Sequence, residues 1–329
     1  MQIQRRRLLS LAAGAAAFPG TLNVVLADTY PSRPITFIVP FAAGGATDVL
    51  ARILAERMRV TLGETILVED VTGAAGSIGV TRAVRSPPDG YTLSVGTLTT
   101  HVLIGALYQL PFNLLTDLAP IAEIGNEPLL ICIRNSLPAK NLLEFISWLK
   151  ENPDKANAGI PGAGSTGNLA GLAFQKATGT KFQFISYRGD GPAVQDLVAG
   201  NIDLMIEPSS NSVAQVQAGT IRALAVPAKT RHPGLPDVPT TDEAGLPGFY
   251  ASIWFGIWVP KGTPPEIVAK LNAATVEALA DPGVGAKLGK LGQQVVPRDE
   301  QTPEFLGAHQ KAEAEKWWPV IKAANIKGE

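Results

Sequence analysis

The stretch GIPGAGSTGNLAG, residues 159–171, carries two overlapping patterns that each belong to a known chemistry. Gly162, Gly164 and Gly167 form GxGxxG, the spacing with which a dinucleotide-binding loop holds a pyrophosphate. Ser165 is the centre of AxSxG, which approximates the turn that exposes a nucleophilic serine in many hydrolases. Either chemistry would make the chain an enzyme, so the surrounding residues must decide between catalysis and binding.

A dinucleotide site also needs an acid about 20 residues further on, at the end of the next strand, to hold the ribose. The next strand pattern, FQFIS, ends instead in Tyr187 and Arg188, and Asp190 follows only in the loop. The sequence therefore does not favour a dinucleotide site. We expect the protein to use no cofactor.

A serine hydrolase needs an oxyanion loop, and an acid and then a histidine after the serine. Asp203 and His232 occur in that order, so a secreted serine hydrolase using Ser165 stays open as the alternative. However, the chain has no HGGG-like loop, Ala163 replaces the first glycine of the elbow, and His232 precedes a proline in a connector. The main interpretation is a binding protein with no catalytic residue.

A second glycine turn, PFAAGGATD at residues 40–48, has the same design: an apolar strand, glycines, a hydroxyl residue and a helix. The free backbone N–H groups of a helix N-terminus attract anions. Two such turns facing a cleft would suit a ligand with an anionic group at one or both ends. Asp48 either caps its helix or meets a donor on the ligand, while Ser165 and Thr166 either bind or form the turn.

The N-terminus has the pattern of an export signal. Arg5, Arg6 and Arg7 precede the apolar run 8–17, and Val25-Leu26-Ala27 predicts a signal peptide over residues 1–27 for the Sec or the twin-arginine route. Its removal leaves 28 − 3 = 25 basic against 29 acidic residues, a net charge of about −4. That balance does not favour a nucleic-acid partner, so local donors must hold an anionic ligand.

No metal site is expected. His101, His232 and His309 lie far apart in the sequence, and Cys132 is the single cysteine, inside the buried strand pattern LLICIR.

Short β-rich runs alternate with helical patterns along the chain, which is typical of α/β proteins with parallel strands. The strand patterns include ITFIVP, TILVED, TLSVG, LLICIR, ANAGI, FQFIS, IDLMI and RALAV. A polar connector then precedes IWFGIWVP, and two further helices are predicted at 264–280 and 302–326, the second with Thr302 as its N-cap. We expect two α/β lobes with a ligand cleft at the strand ends, and two crossings between them near 124–130 and 250–258. Lobe 1 comprises 28–127 plus 256–329, and lobe 2 comprises 128–255.

Seven blocks of the sequence, in order, resemble the periplasmic solute-binding proteins of tripartite tricarboxylate transporters, the Bug receptors. They are YPSRPITFIVPFAAGGATDVLARILAERM, GAAGSIG, PPDGYTLSVGT, LPFNLLTDLAPI, ISYRGDGPAVQDLVAGNIDLM, IRALAVPAKTRHPGLPDVPTTDEAGLPGF and WVPKGTPPEIVAKLN. The resemblance covers roughly residue 30 to the C-terminus.

This resemblance implies a type II periplasmic-binding-protein fold whose two lobes close on a small carboxylate, such as a di- or tricarboxylate or an aromatic carboxylate. It also implies a monomeric periplasmic receptor, without catalysis, that delivers the ligand to a permease of two integral membrane subunits.

The resemblance also places the ligand-binding residues. They are Phe41, Ala42, Gly45, Thr47 and Asp48 in the first turn, Ser77 after the second strand, Thr97, Thr99 and His101 after the third, Ser165, Thr166, Gly167 and Asn168 in the second turn, and Asp203, which faces the cleft or braces the hinge.

The sequence departs from the family pattern at 70–73, at Asn168, where histidine is frequent, and at Glu207, where aspartate is frequent. These changes leave the identity of the carboxylate open. Trp254 and Phe255 could stack on an aromatic ligand, but we favour a place in the core.

Overall fold

The computed structural model describes residues 30–323, so the predicted signal peptide at 1–27 lies outside the described residues. The alternation of strands and helices predicted from the sequence is confirmed. The strands are β1 Ile35–Val39, β2 Ile66–Asp70, β3 Thr92–Thr97, β4 Leu118–Arg134, β5 Asn157–Ile160, β6 Gln183–Ser186, β7 Leu204–Pro208, β8 Ile221–Ala225 and β9 Ser252–Pro260. The helices are α1 Ala46–Leu62, α2 Ser77–Val84, α3 Ile104–Leu107, α4 Leu142–Glu151, α5 Thr166–Thr178, α6 Asp190–Ala199, α7 Ser209–Gln217, α8 Pro265–Leu279, α9 Pro282–Lys290 and α10 Pro303–Ala323.

The strands form a mixed sheet in the order β2-β1-β3-β9-β4-β7-β5-β6, and β8 pairs with β4. β1 is parallel to β2 and β3, and β5 is parallel to β6 and β7. β4 and β9 run antiparallel to their neighbours and to each other. The parallel strands on the two sides of the β4–β9 pair therefore form two sets of βα units, as the α/β prediction requires.

β4 is much longer than the sequence predicts, because only its second half was recognised as the strand LLICIR. Its first half pairs with β9, and its second half pairs with β7 and β8. Pro120 and Pro128 lie inside it, and its register with β9 shifts between Pro120 and Ala122 and again between Glu123 and Gly125. Prolines and bulges disguise a strand in the sequence, although both are tolerated where the ladder is irregular.

Apolar stripes attach the helices to the sheet. Leu50, Leu54 and Met58 of α1 are completely buried, as its 3.6-residue periodicity predicts. At the other end of the chain, α10 docks through Trp318, whose Nε1 donates to the carbonyl oxygen of Val102 at 2.8 Å. Among residues 30–323, no helix has both the length and the apolar character needed to cross a membrane.

Candidate functional site

A small cavity lies where the parallel strands end. Its walls are formed by residues that follow β1, β3, β5 and β6, together with the last residue of β7 and one residue of β9. They are Phe41, Ala42, Gly45, Ala46, Thr47, Thr99, Pro161, Thr166, Gly167, Asp190, Pro208 and Ile253. We call it the inner cavity. The carboxyl ends of strands are where α/β proteins of this type hold their ligands.

The first glycine turn delivers the N-terminus of α1 to the inner cavity. Gly44 adopts a φ of 81°, and its amide N–H donates to Asp48 Oδ2 at 2.8 Å. The amide N–H of Ala46 donates to Asn211 Oδ1 at 2.9 Å. The amide N–H of Thr47 has no acceptor in the described part of the chain. This donor, at the positive end of the helix dipole, is available to an anion.

The second glycine turn delivers the N-terminus of α5 to the same cavity. Ser165 is the N-cap, and its Oγ accepts from the amide N–H of Asn168 at 3.2 Å. The side chain of Asn168 closes the turn by accepting from the amide N–H of Gly164 at 2.8 Å. Thr166 lines the cavity, whereas the cap Ser165 is 1% exposed and does not.

Thr99 connects the end of β3 to the second turn. Its Oγ1 accepts from the amide N–H of Thr166 at 3.0 Å and lies 2.9 Å from Thr166 Oγ1. The next amide, that of Gly167, has no hydrogen-bond acceptor among residues 30–323. Thr47 and Gly167 thus present one free backbone donor from each helix to the inner cavity.

Gly167 is required by packing as well as by its place in the turn. A Cβ at this position would lie 2.6 Å from the carbonyl oxygen of Ile206, a backbone atom of β7. The first turn of α5 therefore rests directly on β7, and only glycine permits that approach.

A second, larger space adjoins the inner cavity across Phe41 and Pro161, which line both. This outer cavity has a volume of about 170 Å³ and is bounded by residues 73–76, Tyr108 and the loop 186–188, including the exposed Arg188. The inner cavity has about 20 Å³ of free space, which is room for about one water molecule.

Asp48 does not line either cavity. It accepts from Gly44, and its Oδ1 lies 2.7 Å from Arg52 Nε, while Arg52 also pairs with Asp70 at 2.9 Å. Burial and the neighbouring Asp48 raise the pKa of Asp70 to about 6. Asp48 is not the N-cap of α1, which is Gly45, but it stabilises the turn through Gly44, and its contact with a ligand stays a prediction.

Thr97 and His101 lie behind the cavity wall in the core. His101 is completely buried, its ring stacks on Trp258 with centroids 3.7 Å apart, and its Nδ1 lies 2.9 Å from Thr100 Oγ1. Burial lowers the pKa of His101 to about 3, so it stays neutral. Gly96 makes room for this ring, because a Cβ there would lie 2.1 Å from it.

Asp203 and Ser77 do not line either cavity, although Ser77 directly follows Gly76 in the wall of the outer one. Asp203 precedes β7, at the end of the strand opposite to the inner cavity. It accepts from Arg134 Nε at 2.7 Å and from the amide N–H of Asn157 at 2.8 Å, which joins β4, β5 and β7. Ser77 begins α2, and its carbonyl oxygen accepts from Thr81 Oγ1.

A group of acids beside the inner cavity, of which Asp190 is half-buried and Glu207 and Glu127 are buried, was not predicted from the sequence. Asp190 lines the cavity, and Glu207 and Glu127 lie close enough for their charges to interact with it. Burial raises the pKa of Asp190 to about 7 and that of Glu127 to about 8, and it raises the pKa of Glu207 well above its ordinary value. Asp190 follows β6 as the first residue of α6, and this strand-end position was the signal that could have identified it.

A cavity of about 460 Å³, much larger than the inner one, is a different space. It lies between α5, the start of β9 and α10, and its walls include Trp254, Phe305 and the pair His309–Glu123, in which Nδ1 lies 2.6 Å from Oε2. Trp254 lines this space but is only 6% exposed and belongs to a core cluster, and Phe255 is completely buried, so both lie in the core as favoured from the sequence. Since this cavity does not contain the paired helix N-termini, its size alone does not make it the candidate site.

The three residues of the hydrolase alternative do not form a triad. Ser165 bonds with Asn168, Asp203 with Arg134 and Asn157, and His232 Nδ1 accepts from the amide N–H of Gly234 at 3.0 Å. Within residues 30–323, no hydrogen bond joins Ser165, Asp203 and His232 to one another.

The chain matches one family model and resembles several solved structures of solute-binding proteins. A family model described as "Tripartite tricarboxylate transporter family receptor" matches residues 50–326. The periplasmic binding protein BugD has a similar structure, with a TM-score of 0.86, 39% identity and coverage of 91% of this chain and 99% of BugD. MatC (Rpa3494) from Rhodopseudomonas palustris with bound malate gives a TM-score of 0.84 at 38% identity, over 89% of this chain and 100% of MatC. R. palustris Rpa4515 with adipate gives 0.85 at 33% identity, over 91% of this chain and 99% of Rpa4515.

Proposed function

Because the chain belongs to the tripartite tricarboxylate transporter receptor family, we propose that it is a periplasmic solute-binding protein that captures a small carboxylate. In this proposal it is exported by its N-terminal signal, works as a monomer and delivers the ligand to a permease of two membrane subunits. It performs no catalysis and uses no metal or cofactor. The single observation that carries the proposal is the inner cavity, where the N-termini of α1 and α5 meet at the strand ends.

A carboxylate in this cavity would accept from the amide N–H groups of Thr47 and Gly167. The hydroxyl of Thr47 and one of the paired hydroxyls of Thr99 and Thr166 would supply further donors, and both helix dipoles favour negative charge there. These donors are local, so they act even though the mature chain has a net negative charge. The malate and adipate of the two neighbours are small dicarboxylates, which supports this ligand class.

Ligand entry requires the walls of the inner cavity to separate. About 20 Å³ holds one water molecule but not a dicarboxylate. Lobe 1 (28–127 plus 256–329) and lobe 2 (128–255) would open and close about β4 and β9, where the chain passes twice between them. The outer cavity, on the other side of Phe41 and Pro161, would receive the remainder of a longer ligand.

The test is calorimetry of the protein lacking residues 1–27 against a panel of di- and tricarboxylates and aromatic carboxylates. We expect a member of the panel to bind, and Thr47→Val to weaken that binding about tenfold, since a hydrogen bond to a charged group is worth roughly 1.5–3 kcal/mol. Thr61→Val is the matched control, because Thr61 is exposed in the last turn of the same helix, roughly 21 Å away. It should bind as the unaltered protein does.

The hydrolase alternative predicts a different result. If no carboxylate binds, and the protein hydrolyses esters in a way that Ser165→Ala abolishes, the receptor proposal is wrong.

A further inference from the structure

The inner cavity contains an acid in addition to its anion-binding donors. Of the described residues that line it, Asp190 alone has an ionisable side chain. Its position is fixed by Gly189, which has a φ of 154° and packs against the first glycine turn. A Cβ on Gly189 would lie 3.2 Å from Ala42 Cβ. Asp190 therefore faces the turn that presents the N-terminus of α1.

No cation of the protein neutralises this acid. Among residues 30–323, no ion pair includes Asp190, Glu207 or Glu127. The neutral side-chain amide of Asn211 favours the ionised form of Asp190, but its Nδ2 makes no hydrogen bond within residues 30–323. The charge of Asp190 in turn raises the pKa values of Glu207 and Glu127. Arg188 lines the outer cavity, and the inner cavity has no basic side chain among its described walls.

The cavity thus presents two opposite requirements within a small volume. The free N–H groups of Thr47 and Gly167 require an acceptor with negative charge. The carboxyl of Asp190, once ionised, requires a donor, and a cationic donor satisfies an acid shielded from water best. A ligand with carboxylates alone would oppose the ionisation of the three neighbouring acids and would leave Asp190 without a cationic partner.

We infer that the ligand is an amine-bearing carboxylate, whose carboxylate binds the N-termini of α1 and α5 and whose ammonium group binds Asp190. This inference rests on the proposed function and adds a specificity-determining residue to it. A second carboxylate on the ligand would extend into the outer cavity towards Arg188.

Burial supports this assignment. It raises the pKa of Asp190 to about 7, so the ionised form is costly in the free protein and is favoured once an ammonium group lies beside it. The ligand therefore supplies the positive charge that the described protein residues do not.

The test compares matched ligands that differ by one amino group: succinate with aspartate, glutarate with glutamate, and adipate with 2-aminoadipate. Calorimetry should show that the unaltered protein prefers the amine-bearing member of the pair that it binds by about tenfold or more. Asp190→Asn should remove that preference by weakening the amine-bearing ligand, with the unsubstituted acid bound equally or more tightly. Asp190→Ser serves as a second, smaller replacement.

Asp196→Asn is the matched control. It removes the same charge from the same helix, but Asp196 bonds to Tyr187 and Asn201 rather than lining the cavity. This variant should keep the preference for the amine.

The outcomes separate the two proposals. A preference for the unsubstituted acid, no preference, or a preference that both Asp190 variants leave unchanged would overturn the assignment of Asp190 and leave the carboxylate receptor standing. Failure of every pair to bind, while another member of the carboxylate panel binds, would likewise overturn the assignment of Asp190. Failure of the whole panel to bind would overturn the proposed function, and the inference with it.

Discussion

At the scale of single residues, burial raises the pKa values of the carboxyl groups beside the inner cavity, whereas hydrogen bonds lower the pKa values of surface acids such as Glu56 and Asp196. Glu127 is completely buried, and its Oε1 accepts from Ser210 Oγ at 3.0 Å. Burial raises its pKa to about 8, and the charge of Asp190 acts in the same direction. The folded protein therefore holds a proton on Glu127 over a range in which the unfolded chain releases it.

This difference makes stability depend on pH in a definite direction. The folded-state pKa of Glu127 is raised, so its contribution is fully present below about pH 4.5 and is lost as the pH rises towards about 8. Glu127→Gln, which imitates the protonated acid, should melt close to the unaltered protein near pH 4.5 and a few degrees above it near pH 8.5. Thermal melting across this range checks the prediction, with exposed Glu151→Gln as the control.

A difference in melting temperature between Glu127→Gln and the unaltered protein that does not change with pH would contradict the raised pKa.

At the scale of elements, the second glycine turn shows how a motif acquires its role from its surroundings. Ser165 looks like a nucleophile in the sequence, yet in the structure it is a buried N-cap that stabilises α5. The free donor belongs to Gly167, two residues later, whose position depends on the direct contact between α5 and β7. The cap and the donor are thus separate functions of one turn.

Ser165→Ala should therefore reduce the free energy of unfolding by about 1 kcal/mol, the usual cost of losing an N-cap. Denaturant titration measures this loss. Ser147→Ala is the control, since Ser147 is exposed in the middle of α4, where alanine is the better helix former. Equal stability of Ser165→Ala and the unaltered protein would mean that Ser165 does not act as the cap.

The sequence was informative where local chemistry determines structure. Glycine turns, apolar periodicity and the cap at Thr302, whose Oγ1 accepts from the amide N–H of Phe305 at 3.1 Å, were all recognisable. The first half of β4 was not, because its prolines are accommodated only through pairing with β9. α9 was also missed, since Gly283, Gly285 and Gly289 weaken its helical pattern.

The candidate site was predictable to a similar extent. Phe41, Ala42, Gly45, Thr47, Thr99, Thr166 and Gly167 line the inner cavity as expected, although their contact with ligand stays a prediction. The acid that completes the cavity, Asp190, could not be identified from spacing, because its place depends on how Gly189 packs against the first turn. His101 was predicted to bind ligand from its position after β3. Its burial against Trp258 depends on a contact between distant parts of the chain, which the spacing of residues does not reveal.

At the scale of the whole molecule, β4 and β9 connect the two sets of parallel strands. β4 pairs with β9 over one half and with β7 and β8 over the other. Its register shifts at Pro120 and Glu123 interrupt the ladder close to the segment where we predict the chain to cross between lobes. Bending at such a place would let the strand ends around the inner cavity separate without breaking either set of parallel strands.

Opening and closing should be visible in solution. Small-angle scattering of the protein lacking residues 1–27 should show a smaller radius of gyration when the ligand found by calorimetry is saturating, because the ligand-free protein must be open for entry. Identical scattering with and without that ligand would count against lobe closure, while leaving the binding site itself unaffected.

The most direct measurement of the central claim is a crystal structure of the protein grown with the carboxylate that calorimetry identifies. The account predicts electron density for the ligand in the inner cavity, with carboxylate oxygens about 2.7–3.2 Å from the amide nitrogens of Thr47 and Gly167. Ligand density confined to the large cavity beside Trp254 and His309, with none at the N-termini of α1 and α5, would contradict it.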